Sequence, residues 1–207
     1  MPDTTAEHWA AAYAEGDTGK SWFQGTATAS LRLLERADMD PGEAVIDIGG
    51  GASTFVDGLL AAGFTDVTVL DVAAPALELA RRRLGEAAGQ IHWLEADALA
   101  WTPERPYRLW HDRAVFHFLT TPEQRAAYLE RLTAGTTIGS TLVMGTFGPG
   151  GPTSCSGLPV ERYDADRLLA TLGPAWDEVA RDEEVHTTPW GSEQQFTWVV
   201  ARRHTAN

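Results

Sequence analysis

Short apolar runs alternate along the chain with stretches of helical spacing. "AVIDI" (44–48), "VTVLD" (67–71), "IHWLEAD" (91–97), "YRLWHD" (107–112) and "STLVMGTF" (140–147) have the length and residue types of strands. Between them, apolar residues recur about one turn apart. Phe55, Val56, Leu59 and Leu60 follow Ser53, a capping residue, and Gly63 is placed to stop that helix. Leu77, Ala80 and Leu84 follow Pro75, a residue suited to a helix start. Thr121, Pro122 and Gln124 match a capping box ahead of Tyr128, Leu129 and Leu132, with Gly135 as the close. Strands that alternate with helices predict a parallel α/β sheet.

Two helices, 5–15 and 27–37, are expected before the first strand. A helix around 164–172 and two last strands, "WDEVARDEEVHT" and "QQFTWVVARR", follow the fifth. There is no internal repeat and no low-complexity linker. The chain divides into an N-terminal helical cover (1–39) and a core (40–207) that together make one domain. "GPGGPTSCSGLP" (148–159) is a long Gly/Pro/Ser loop, a type that is usually functional or disordered.

Composition narrows the function classes. The chain has 207 residues, 43% hydrophobic and 22% charged, which is enough for a full core. A formal charge of −13, with Lys20 the one lysine, argues against nucleic acid as a partner. A single cysteine, Cys155, excludes an internal disulfide and a Cys-rich zinc site. No run reaches the length of a membrane span, and the N-terminus lacks the basic and apolar segments of a signal peptide, so a cytoplasmic protein is expected.

"VIDIGGGAS" ends a strand and opens a helix, where backbone can approach a ligand closely. The dinucleotide fingerprint would place its third glycine at position 54, which is Thr54 here. Acids at the strand ends strengthen the signal. Asp71, 20 residues beyond Gly51, can accept both hydroxyls of a ribose, and Asp97 can accept an exocyclic amine. Helix capping is the plain alternative for either.

"DIGGG" resembles the acidic-x-Gly-x-Gly motif of class I S-adenosylmethionine-dependent methyltransferases, and the resemblance runs over about 40–203. It implies a Rossmann-like, doubly wound, mostly parallel seven-stranded sheet with an antiparallel last strand and helices on both faces. It implies S-adenosylmethionine as cofactor, with Asp71 on the ribose, Asp97 on the adenine, and Asp47, Gly49 and Gly51 turned toward it. "SWFQG" is similar to a segment of lysine and thiol-type methyltransferases that folds over the cofactor's methionine end. That places Trp22 at the cofactor, with plain core packing as the alternative. Trp9 and Tyr13, spaced i, i+4, are expected to pack against the body.

"LWHDRAVFHFL" (109–119) concentrates polar chemistry at the carboxyl end of the fourth strand, the crevice side of an open parallel sheet. It also resembles the Asp-Arg segment of thiopurine- and thiol-type methyltransferases. His111, Asp112 and Arg113 are therefore expected to floor the reaction site, with His111 the candidate base because its ordinary pKa lies near neutrality. A structural ion pair is the alternative for the Asp and Arg. His117, Cys155 and Trp190 are assigned to the acceptor pocket, with a core role the alternative for His117. No metal is expected, since His111 and His117 stand six residues apart without further ligands.

These features imply methyl transfer from S-adenosylmethionine to a small-molecule nucleophile, such as a thiol. A protein lysine is the alternative acceptor, and an acidic enzyme would steer toward a basic protein. An NAD-dependent oxidoreductase and a non-catalytic cofactor-binding protein are the alternatives of another class.

Overall fold

The computed structural model describes residues 6–14 and 16–205. Two helices open it, α1 (Ala6–Ala12) and α2 (Thr28–Leu34), the second continued by a 3-10 turn to Ala37. Residues 5 and 15, the expected ends of the first helix, lie outside the described residues. Then follow β1 (Val45–Ile48), α3 (Phe55–Ala61), β2 (Val67–Asp71), α4 (Ala74–Leu84), β3 (Ile91–Glu95), β4 (Leu109–Arg113), α5 (Pro122–Ala134) and β5 (Thr141–Phe147). A small hairpin, β6 (Ser154–Cys155) and β7 (Leu158–Pro159), precedes α6 (Ala165–Leu172), β8 (Trp176–Thr187) and β9 (Glu193–Arg203).

Seven strands form one sheet in the order β3-β2-β1-β4-β5-β9-β8. The first five pair in parallel, and β9 runs antiparallel between β5 and β8. The strand order reverses between β1 and β4, and there the carboxyl ends of the strands open a crevice.

Strands β1, β2 and β5 are buried along their whole length, which is why they read as nearly continuous apolar runs, whereas the edge strands β3 and β8 are partly exposed. Alternate residues divide between two cores. Val45, Val67, Val69, Leu109 and Val143 pack with Leu33 of α2 and Leu59 of α3. Ile46, Ile48, Trp110 and Leu142 pack with Tyr128 and Leu132 of α5 and Leu168 of α6.

Local signals act largely as their chemistry dictates. The Thr121 hydroxyl accepts from Gln124 N–H while the Gln124 side chain accepts from Thr121 N–H, closing the capping box with Pro122 in the first turn. At α3 the residue before the helix is Thr54, not Ser53. Ser53 Oγ still accepts from Phe55 N–H at 3.1 Å. The Gly/Pro loop is ordered around the β6–β7 hairpin, whose turn residues Ser156 and Gly157 both have positive φ (50° and 77°), as a two-residue hairpin turn requires.

Candidate functional site

The crevice holds a pocket lined in part by Gly49 and Gly50 of the turn after β1. Gly49 and Gly51 adopt φ of 64° and 38°, a region that disfavours side chains. A Cβ on Gly49 would stand 2.1 Å from Val115 Cγ2, and one on Gly51 would stand 2.6 Å from Asp71 Oδ2. Bare backbone is thus pressed against the carboxylate that ends β2.

Asp71 lines the pocket and is largely buried. Its Oδ1 accepts from Ala73 N–H at 2.8 Å. Burial pushes its pKa up to about 7, the Ala73 hydrogen bond opposes that rise, and the nearby Asp47 charge adds to it. Asp97, beyond the end of β3, also lines the pocket and is exposed, with Oδ1 accepting from Leu99 N–H at 2.8 Å.

Asp47 and His111 face each other across the β1–β4 pair, 2.6 Å from Oδ1 to Nδ1. The second histidine nitrogen, Nε2, lies 2.9 Å from Ser30 Oγ on α2, and Phe55 stacks on the ring at 4.1 Å. Both ring nitrogens are therefore engaged within the protein, although the ring edges the pocket. Asp47 Oδ2 is buried and has no hydrogen-bond partner among the described residues.

The fourth strand does not present its polar residues as one block. Alternation sends His111 and Arg113 to the pocket side and Trp110 and Asp112 to the α5 side. Asp112 is fully buried, accepting from the Val115 and Phe116 N–H groups and from the Tyr128 hydroxyl. Its expected place in the reaction site is corrected: it anchors the loop after β4 and does not line the pocket. Arg113 does line it, with Nη1 donating to the Trp22 carbonyl at 3.1 Å.

Two further expectations are corrected. His117 is completely buried between the Phe118 and Phe147 rings, its Nδ1 accepts from Phe147 N–H, and it stands outside the pocket lining. Burial, with the Arg113 charge second, pushes its pKa down to about 3, so it is a neutral core histidine. Trp190 sits in the β8–β9 turn, on the crevice side as expected, but its side chain is 61% exposed and does not reach the pocket. Cys155 does line the pocket, where burial raises its thiol pKa.

The cover is more extensive than the sequence suggested. Trp22 lines the pocket, and its Nε1 donates to the Tyr13 hydroxyl at 2.9 Å. Trp9 meets Trp22 edge-on at 5.9 Å and Phe118 at 5.1 Å. Trp9 on α1 and Tyr13 just beyond its end thus form pocket wall instead of packing only against the body, and their i, i+4 spacing was the available signal. Ser30 gave no signal of its own; only the fold brings α2 against His111.

Residues 45–134 match a family described as a methyltransferase domain. Over 84 residues the chain is 31% identical to EEF1A lysine methyltransferase 2 of Mus musculus, covering 36% of this chain and 34% of that protein. The Homo sapiens counterpart is also 31% identical over 84 residues, covering 36% of each chain. The match thus spans about a third of the length of these curated relatives. Among solved structures, a SAM-dependent methyltransferase from Anabaena variabilis superposes with a TM-score of 0.75 at 18% identity, covering 98% of this chain and 97% of its own. A solved structure described by the conversion of a disulfide bond into a thioacetal group during echinomycin biosynthesis superposes with a TM-score of 0.76 at 20% identity, covering 97% of this chain and 93% of its own. N-methyltransferase NodS of Bradyrhizobium japonicum superposes at 0.67 and 19% identity, covering 86% and 96%. No helix among the described residues is long and apolar enough to cross a membrane.

Proposed function

From the premise that this chain carries a class I methyltransferase domain and fold, we propose that it transfers a methyl group from S-adenosylmethionine to a small-molecule nucleophile. The observation that carries the reading is the pairing of Asp71 with the glycine turn. A buried carboxylate with one oxygen against a side-chain-free backbone suits a ribose diol lying across that turn.

The chemistry of the remaining groups fits the same cofactor. Asp47 Oδ2, buried and without a partner, suits a cationic or N–H donor end. Asp97 at the pocket mouth suits an exocyclic amine. When bound, the cofactor would supply an activated methyl on a sulfonium with a good leaving group, so the protein chiefly has to orient the acceptor and exclude water. Trp9, Trp22 and Phe118 would exclude water from the reacting end. Arg113 and Cys155 line the same pocket and would contact the acceptor. His111 would hold Asp47 and α2 in place, since neither ring nitrogen is available to take a proton from an acceptor.

A protein lysine is the second reading, favoured by the names of the curated relatives. Calorimetry with S-adenosylhomocysteine and NAD tests the cofactor; tight binding of NAD alone would overturn it. Labelled methyl transfer to a panel of small thiols and amines, compared with transfer into a protein lysate, decides the acceptor.

A further inference from the structure

Gln124, in the first turn of α5, divides its polar atoms between two directions. Its backbone N–H donates to the Thr121 hydroxyl, and its Oε1 accepts from Thr121 N–H at 3.1 Å. The capping box thereby fixes which way round the side-chain amide sits. Nε2, with two N–H donors, makes no hydrogen bond to the described residues. The residue is partly buried and lines the pocket. With its N–H and Oε1 turned to Thr121, the polar atom it can offer a ligand is Nε2.

The two cores divide the pocket into two ends. Phe118 and Cys155 pack with the core beneath α2 and α3, whereas Ala98, Leu99 and Leu119 pack with the core beneath α5 and α6. Gln124 stands on the second side, because α5 buries Tyr128 and Leu132 in that same core. Asp97 lies at this end as well, next to Ala98, and its Oδ1 is occupied by Leu99 N–H. Its Oδ2 is left for a ligand. Apolar walls from the loops after β3 and β4, with one free acceptor and one free donor, match the edge of a flat purine. There an exocyclic amine donates and the ring nitrogens beside it accept.

We propose that Gln124 reads the adenine ring of the cofactor, with Nε2 donating to the ring nitrogen, N1 or N7, that flanks the amine held by Asp97. This rests on the methyltransferase reading of the pocket. The amide cannot turn over to present its oxygen without giving up the capping bond. The site therefore accepts a base with a lone pair at that position and refuses one with N–H or C–H there.

The test separates the cap from the base contact. Gln124→Glu keeps an oxygen for Thr121 N–H, since Glu also serves at this position of a capping box, but it replaces the donor with an acceptor. Its melting temperature should stay close to that of the parent, while S-adenosylhomocysteine binds roughly tenfold more weakly by calorimetry. The 1-deaza and 7-deaza analogues of S-adenosylhomocysteine locate the contact. The substitution should cost nothing for the analogue that lacks the contacted nitrogen, and the same factor as before for the other. Gln124→Met, which loses the cap as well, should show this pattern toward the analogues together with a lower melting temperature. Binding of S-adenosylhomocysteine by Gln124→Glu within twofold of the parent would overturn the proposal. An equal loss with both analogues would overturn it too, by placing the effect away from the ring. Either result leaves the methyltransferase reading intact, whereas failure of the parent chain to bind S-adenosylhomocysteine would remove that reading itself.

Discussion

Asp47 and His111 occupy matched positions on two neighbouring parallel strands, and their side chains, almost fully buried at the pocket's edge, meet 2.6 Å apart. Ser30 completes the set from α2. The histidine thereby ties the N-terminal helix to the two strands that flank the switch point, and it fixes which Asp47 oxygen is left to face a ligand.

Replacing His111 with Ala removes the partners of Asp47 and Ser30 together. Each buried polar group left without its partner costs about 1–3 kcal/mol, and a loss of that order is expected in denaturant unfolding. His111→Gln, which keeps a side-chain donor, should lose less and leave the pH profile of methyl transfer unchanged. Disappearance of a limb from that profile in the Gln variant would restore His111 as a base.

Tyr128 joins Trp110 and Asp112 on the opposite face of the same strand: its hydroxyl accepts from Trp110 Nε1 and donates to Asp112. Tyr128→Phe leaves both partners buried and short of a hydrogen bond, each loss costing roughly 1–3 kcal/mol. The melting temperature should fall while affinity for S-adenosylhomocysteine stays within twofold. A selective loss of affinity without destabilisation would mean that the Asp112 side reaches the site after all.

How far the sequence could reveal this site follows from these residues. All seven long strands were readable, six as runs rich in apolar residues and β8, which is acid-rich and largely exposed, by its place in the terminal strand pair. The glycine turn and the pocket-lining acids Asp71 and Asp97 stood out too, because their spacing along the chain is set by two successive βαβ units. His111, Asp112 and Arg113 were taken as a single floor, although period-two alternation within a strand divides them between faces. The burial of His117 and the Ser30 contact depend on contacts between distant segments, which no local pattern encodes. Trp190 marked the correct end of the sheet, but its rotation outward is a tertiary outcome.

Trp9, itself partly buried, contributes two edge-on ring contacts to the pocket cover. Aromatic pairs are worth about 0.5–1.5 kcal/mol each, so Trp9→Ala should loosen the cover and lower stability by about 1–3 kcal/mol. Dissociation of S-adenosylhomocysteine followed by stopped-flow fluorescence should be faster. Unchanged dissociation would mean that α1 does not act as the cover.

Asp71 makes the site sensitive to pH with a defined sign. Its pKa in the folded chain stands near 7, above the ordinary carboxylate value of 3.8, chiefly because burial penalises its charge. Between those two values the folded state binds more protons than the unfolded one, so stability falls as pH rises through that window. The whole effect amounts to at most about 4 kcal/mol at pH 8, and Asp71→Asn should remove it. Asp112, raised to about 6 by burial, acts in the same direction and stays in the variant, so the difference between variant and parent isolates Asp71. A diol that donates two hydrogen bonds favours the ionised carboxylate, so binding at pH 6 should expel up to one proton. Affinity for S-adenosylhomocysteine should accordingly rise with pH until about 7 and then level off. Calorimetry at pH 6 in two buffers of different ionisation enthalpy measures the released proton directly, and Asp71→Asn should abolish the release. Proton uptake, or none, by the parent chain would show that the ribose does not sit on Asp71.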